Sequence, residues 1–207
     1  MGWWTDRVVP RITDKACGTA EIAELRERVC VGLHGRVLEI GFGSGLNVRF
    51  YPPEVTSVAA VEPSDVGWRI SQERRARTDV PVQRSGLDGQ HLAEDDGSFD
   101  SALVTFSLCS IPDPALALSE VRRVLKPGAS LHFLEHGLAP DPGVVRWQHR
   151  LDPVQKRVAG GCHLSRDVPA LVEDAGLSVA EVRAEYLPGP RVMRPWTYAY
   201  LGRAATV

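Results

Sequence analysis

The chain has 207 residues, with 24 Lys plus Arg against 26 Asp plus Glu for a net charge of −2, 43% apolar residues and 19 glycines. That composition excludes disordered, collagen-like and fibrous classes, and the missing basic excess argues against a surface that holds nucleic acid through its phosphates. A domain of this length buries about 70% of its unfolded surface, so one domain over 1–207 can form a core without a metal or disulfide staple.

In chain order, the first 35 residues carry a mixed segment around Trp3-Trp4 and one predicted helix, Ala20 to Leu33. Arg36 to Ile40 is a short aliphatic run ending in glycine and reads as a buried strand. Thr56 to Glu62 is a second, and Val80 to Gln83 a third whose proline suits a strand start or edge. The densest basic stretch, Glu73 to Arg77, reads as the solvated face of a helix. Phe99 to Phe106 is a fourth strand. Pro114 to Leu125 is the clearest helix, with Asp113 as N-cap, Pro114 at the first position and Lys126-Pro127-Gly128 as the stop. Leu116, Val121, Val124 and Leu125 recur along it at the helical period. Ala129 to Glu135 is a fifth strand. A helical insertion over 137–165 precedes a helix around Val168 to Ala175. Leu177 to Glu185 and Trp196 to Leu201 then form an antiparallel pair joined by a Pro- and Gly-rich loop. Strands alternating with helices imply parallel pairing through right-handed crossovers, hence an α/β sheet covered on both faces.

No run approaches the roughly 20 apolar residues needed to cross a bilayer. The N-terminus lacks the long apolar core of a signal peptide. No integral membrane segment is expected, while peripheral contact with a membrane stays open. Cys17, Cys30, Cys109 and Cys162 are scattered without a Cys-x-x-Cys pair, which points to reduced thiols and a cytoplasmic protein.

The most informative stretch is Val37-Leu38-Glu39-Ile40-Gly41-Phe42-Gly43-Ser44-Gly45, a strand that turns on three glycines toward a predicted helix. Glycine is needed where backbone takes positive φ or comes close to a ligand. The dinucleotide fingerprint is Gly-x-Gly-x-x-Gly, in which a helix N-terminus receives a pyrophosphate. Here the third glycine comes one residue early and Glu39 stands two residues before the first. A carboxylate there suits a cation better than a pyrophosphate. S-adenosylmethionine carries a sulfonium and an ammonium and no phosphate, so Coulomb attraction favours it over NAD. Glu62 ends the second strand, where ribose hydroxyls find an acceptor. Asp88 follows the third strand, where it could take an exocyclic adenine amine. Three carboxylates at the ends of three successive strands outweigh the bland alternatives of strand-end charges and a turn-former.

These residues resemble the class I S-adenosylmethionine-dependent methyltransferases. Glu39 to Gly45 matches their acidic-x-Gly-x-Gly-x-Gly motif, Glu62 their acidic residue after strand two, and Asp88 their Asp before a Gly/Ala-x-x-Leu segment. Asp96-Gly97-Ser98-Phe99-Asp100 and Glu120 to Gly128 resemble signatures of the ubiquinone/menaquinone-methyltransferase-like subgroup. The resemblance covers roughly residues 36–136. It implies a Rossmann-like three-layer sandwich, a mostly parallel seven-stranded sheet with an antiparallel last strand, and S-adenosyl-L-homocysteine as product. Phe50-Tyr51-Pro52, Leu108-Cys109-Ser110, Leu134-Glu135-His136, Leu151-Asp152-Pro153 and Gly161-Cys162-His163-Leu164-Ser165-Arg166 resemble the membrane-associated thiol S-methyltransferases of animals. That likeness implies a small, lipophilic acceptor, with adenine packed near Gly89, Gln90 and Phe106.

Methyl transfer from a sulfonium needs alignment more than acid–base help, and a thiol with pKa near 8.5 is already partly ionised. His136, at the end of strand five, is the candidate base. His163, Trp147 and Cys109 are candidate acceptor contacts. The segment 1–35 is expected to help cover the active site, and 137–165 to contribute to the acceptor pocket. No His/Asp cluster shows metal-ligand spacing, so no metal is expected. No Asn/Asp-Pro-Pro-Tyr/Phe motif follows strand four and no Gly-x-Ser-x-Gly elbow occurs, which argues against a DNA amine methylase and a hydrolase. The expected partner is a small-molecule acceptor, not nucleic acid, with the chain as monomer or homodimer. Sulfur is favoured over ring oxygen or carbon. The alternatives are a non-catalytic S-adenosylmethionine sensor or scaffold, a phospholipid amine N-methyltransferase, and a nicotinamide oxidoreductase.

Overall fold

The computed structural model describes residues Trp3–Thr206. Its strands are β1 (Gly35–Ile40), β2 (Val55–Val61), β3 (Val82–Gly86), β4 (Phe99–Thr105), β5 (Leu125–His136), β6 (Leu177–Tyr186) and β7 (Tyr198–Thr206). They form one sheet in the order β3-β2-β1-β4-β5-β7-β6. Pairing is parallel from β3 across to β5, and β7 runs antiparallel between β5 and β6. The chain steps outward from β1 to β3, then returns to β4 on the other side of β1. The crevice beyond the carboxyl ends of β1 and β4 is therefore the topological switch point, where open parallel sheets take their ligands.

The helices are α1 (Val9–Ala16), α2 (Ala20–Cys30), α3 (Asp65–Ile70), α4 (Gln72–Arg75), α5 (Pro114–Val124), α6 (Pro142–Val158), α7 (Val168–Asp174) and α8 (Arg194–Thr197). Side chains alternate across the strands and so divide the core. Leu38, Val104 and Phe133 pack toward α5 and α7, whereas Val37, Leu103 and Leu134 pack toward Leu25, Val29 and Leu33. These are the three layers the resemblance implied.

Several local expectations shift. The mixed segment before Ala20 folds as a second helix, α1, preceded by a π-helical turn over Trp4–Val8, because Pro10 is tolerated in its first turn. The third strand starts at Val82, since Pro81 has no N–H for the ladder and offers only its carbonyl, to Val58 N. Lys126-Pro127-Gly128 stops α5 but belongs to β5. Leu116 faces outward, and Ala117, Leu118, Val121 and Val124 form the buried face instead. Trp196 lies in α8, so the last strand begins two residues later.

One buried titratable group sits between sheet and helix. His132 Nδ1 lies 2.8 Å from Val29 O and Nε2 lies 3.0 Å from Ser130 Oγ, so the neutral ring donates to the carbonyl and accepts from the hydroxyl. Burial pushes its pKa down to about 4. The unfolded chain binds this proton near pH 6.5 and the native chain does not, so stability present above pH 6.5 is lost as the pH falls toward 4. The expected loss is about 3 kcal/mol at full titration. Urea midpoints measured from pH 7 to pH 4 should show that slope, and His132→Asn should flatten it.

Candidate functional site

The loop after β1 lies at the switch point. Gly41, Gly43 and Gly45 all take positive φ, at 70°, 59° and 76°. A Cβ on Gly41 would stand 1.9 Å from Ser107 Oγ, so the loop is pressed against the segment after β4. A Cβ on Gly43 would meet nothing nearer than Gly41 O at 3.8 Å. The backbone there borders open space, a cradle that a side chain would fill.

The predicted helix after the loop is a single 3₁₀ turn, Val48–Phe50. Pro52-Pro53 follows at once, and Asn47 turns inward. Its Nδ2 donates to Glu39 Oε1 at 2.9 Å and to Thr105 Oγ1 at 3.0 Å, while its Oδ1 accepts from Arg26 at 2.6 Å. With no long helix pointing its amide dipoles at the cleft, charge there is handled by side chains.

Glu62, just past β2, is 5% exposed and accepts from Gly43 N at 2.6 Å and Ser64 N at 2.7 Å. One carboxylate thus holds the tip of the glycine loop and the entry to α3, and each oxygen keeps a lone pair. Burial raises its pKa despite those two amides. Glu39 is fully buried, bonded to Asn47 on one oxygen and to the Tyr51 hydroxyl on the other. Burial pushes it up to about 7, with Tyr51, Asn47 and Arg26 working against the rise. Asp88 is half exposed; its Oδ1 accepts from Gln90 N at 2.9 Å and Gln90 Nε2 at 2.8 Å. Those bonds hold its pKa low. Gln90 Oε1 accepts from Asp113 N at 2.9 Å, and Gly89 is buried against Ile40.

The end of β4 is strained. Phe106 has φ 51°, the one non-glycine residue at positive φ among those described, and the Arg26 guanidinium sits 5.4 Å over its ring. The chain then turns onto Glu135, whose Oε1 accepts from Ser107 N at 2.6 Å and Leu108 N at 3.0 Å. Burial raises Glu135 to about 7.

Beside it, His136 Nε2 lies 3.2 Å from Cys162 Sγ, and the donor atoms of Cys109, His136 and Cys162 all fall within 4.8 Å of one another. Burial opposes a charge on His136, but Cys162, Glu135 and Asp152 outweigh it and hold the ring above its usual range. The neighbouring Cys109 sulfur and burial push the Cys162 thiol well up. Four stretches meet at this corner. His163 N donates to Cys109 O at 2.8 Å, Asp152 Oδ1 accepts from Leu164 N at 2.6 Å, and Arg166 donates to Ile111 O at 2.8 Å. His163 is half-buried, its pKa lowered by burial and by Arg166. Trp147 stands in solvent on α6 under Arg150.

The structure therefore brings Gly41, Gly43, Gly45 and Glu62 together at the carboxyl ends of β1 and β2, with Glu39 buried behind the loop, and brings Cys109, His136 and His163 together at the carboxyl ends of β4 and β5. Trp147 lies apart from both. Sequence reasoning missed Asn47, Tyr51, Arg26 and Cys162. Tyr51 and Cys162 lie inside the quoted Phe-Tyr-Pro and Gly-Cys-His-Leu-Ser-Arg stretches, so attention to every polar residue in those would have found them.

Comparison with known proteins identifies the family. A family model described as a methyltransferase domain matches residues 38–133. The thiol S-methyltransferase TMT1B of Rattus norvegicus is 34% identical over 174 residues, covering 81% of this chain and 69% of that protein. The phosphatidylethanolamine N-methyltransferase of Cereibacter sphaeroides is 29% identical over 161 residues, covering 71% and 72%. A solved S-adenosylmethionine-dependent methyltransferase from Aquifex aeolicus superposes with a TM-score of 0.64 at 19% identity, covering 96% of this chain and 98% of that one, and shows the fold alone.

Proposed function

This chain belongs to the class I S-adenosylmethionine-dependent methyltransferases, and from that premise we propose that it methylates the sulfur of a small lipophilic thiol. Its cofactor is S-adenosylmethionine and its product S-adenosyl-L-homocysteine. The cleft fits that group, because the open cradle at Gly43 lies against a buried carboxylate, Glu62, that keeps lone pairs for two hydroxyls. When bound, the cofactor supplies an electrophilic methyl carbon on a sulfonium.

The protein's own part is placement. Glu62 accepts the ribose hydroxyls while fixing the glycine loop, and Glu39 sets a negative field behind the loop that favours a cation. Asp88, Gly89, Gln90 and Phe106 border the adenine. Held there, the cofactor would supply its methyl group to the acceptor sulfur in exchange for its own S–C bond, and the acceptor's thiol proton would pass to water. No base is needed for an acceptor already partly ionised at neutral pH.

Two observations support sulfur as the acceptor. Four of the five stretches that resemble thiol S-methyltransferases meet in one hydrogen-bonded corner at the carboxyl ends of β4 and β5. The relative with 34% identity acts on thiols by name. The cover is consistent with a lipophilic acceptor. Asp14 of α1 pairs with Arg74 at 2.7 Å, and Arg74 also donates to Ser44 O of the glycine loop. Trp4 Nε1 donates to Val158 O at the end of α6. These contacts tie the segment 1–35 to the glycine loop and to the end of the 137–165 insertion, and exposed Trp4 and Val154 stand on those two segments.

The test is isotope-labelled S-adenosylmethionine offered with a thiol, a phenol, a quinol and a phosphatidylethanolamine vesicle. Label on the thiol alone is the expected result. Label on the amine alone would favour the phospholipid reading, which rests on the 29% identical relative. Thermal stabilisation by S-adenosyl-L-homocysteine and none by NAD should accompany it, and stabilisation without transfer to any acceptor would favour a sensor.

A further inference from the structure

The corner at the ends of β4 and β5 holds three soft donors from three separate segments. Cys109 follows β4, His136 ends β5 and Cys162 follows α6. Both cysteines are buried, and all three donor atoms lie within 4.8 Å of one another. A tetrahedral zinc ion with Zn–S about 2.3 Å and Zn–N about 2.0–2.1 Å places sulfur atoms about 3.8 Å apart and nitrogen about 3.6 Å from sulfur. The 3.2 Å from His136 Nε2 to Cys162 Sγ needs a few tenths of an ångström of opening to reach that spacing.

A satisfied core cluster would leave no loose ends, yet two polar atoms beside this one are orphaned. His136 Nδ1 and Glu135 Oε2 are both buried without a hydrogen-bond partner. Buried polar atoms are almost always paired, and these two lie outside the donor set, since the ring meets Cys162 Sγ through Nε2. Polar side chains also stand beside the sulfurs. Gln155 Nε2 donates toward Cys162 Sγ at 3.6 Å, and Gln155 is itself held by Trp196 Nε1 at 3.1 Å. Ser110 Oγ lies 3.4 Å from Cys109 Sγ. Donors of this kind orient metal ligands and tune their charge.

We propose that Cys109, His136 and Cys162 form a binding site for one zinc ion, with three protein donors and a fourth position left to water or an incoming donor. Two thiolates and an imidazole select a thiophilic cation over calcium or magnesium, which take oxygen. Capture exchanges protons for metal. Each thiol releases one proton, the imidazole binds through Nε2 with any proton there also released, and two thiolates against one divalent ion leave the buried site neutral. The inference does not depend on which acceptor is methylated.

The test uses the reduced, metal-free full chain, with Zn²⁺ and Co²⁺ as probes. One equivalent of Zn²⁺ should bind in competition with a chromophoric chelator. Co²⁺ should give a thiolate-to-metal charge-transfer band. Zn²⁺ should also slow alkylation of Cys109 and Cys162 more than about tenfold while sparing Cys17, read by peptide mass spectrometry on the unaltered chain. Loss of an outer partner alone costs about 10–100-fold in affinity, so Cys109→Ser, Cys162→Ser and His136→Ala should each cost more than about 100-fold. Cys17→Ser should keep the stoichiometry. No charge-transfer band, or alkylation unchanged by Zn²⁺, overturns the proposal. So does a chain in which only a Cys109–Cys162 disulfide blocks alkylation.

Discussion

Gly43→Arg is expected to abolish methyl transfer, by at least about a thousandfold, while leaving the fold intact. Position 43 already has φ 59°, and its Cβ direction is open, with Gly41 O the nearest atom at 3.8 Å. A side chain there costs about 1–3 kcal/mol in backbone strain, against a typical domain stability of about 5–15 kcal/mol. The guanidinium would extend into the cradle and lie near Glu62, occupying the place of the cofactor and opposing its positive charge. Gly41→Ala is a different experiment, because its Cβ would stand 1.9 Å from Ser107 Oγ and so disturb the sheet edge itself. Labelled transfer, titration calorimetry with S-adenosyl-L-homocysteine and a melting curve separate the two. A Gly43→Arg chain that still binds the product would place the cofactor elsewhere.

Glu62→Ala should weaken S-adenosylmethionine binding by about 100-fold, or about 3 kcal/mol, with little change in preference among acceptors. The carboxylate makes two charge-assisted bonds to the loop and, on the proposed function, two to the ribose, all where water is excluded. Asp88→Ala should cost less than about tenfold, since that carboxylate is half exposed and its bonds compete with water. Glu62→Gln keeps an acceptor for only one of Gly43 N and Ser64 N, because its NH2 faces the other, and loses the charge, so it should restore melting behaviour in part and affinity less. Equal losses for cofactor affinity and acceptor affinity in Glu62→Ala would count against its place on the ribose.

Much of the cofactor half was readable from the chain. Glu39, the three glycines and Glu62 are close in sequence because a strand, its loop and the next strand bring them together, so local spacing carried the information. What spacing could not carry was the environment. Glu39 reads as a strand-end charge, yet Asn47 and Tyr51 bond it, Arg26 and Thr105 bond Asn47, and these three segments bury it completely. The helix after the loop failed for a local reason, the double proline, outweighed in the reading by the habit of Gly-rich loops. The acceptor half was harder. Cys109, His136 and Cys162 lie 27 and 26 residues apart in sequence. Metal-ligand spacing is legible when donors share a turn or a knuckle; here the α5 crossover and the α6 excursion bring them together, and no local pattern marks that.

The place of β7 bears on how the protein is made. Synthesis proceeds from the N-terminus at about 5–20 residues per second, so strands become available in chain order. The strands that carry the glycine loop and Glu62 have all their neighbours once β5 has been translated. β6 has none until β7 arrives, because β7 lies between it and β5. The same late segment closes the cysteine corner, through Gly137 N to Tyr198 O and Gln148 Nε2 to Pro195 O. Until β7 is made, the edge of β5 that ends in His136 has no strand beside it, while the strands around the glycine loop already have theirs.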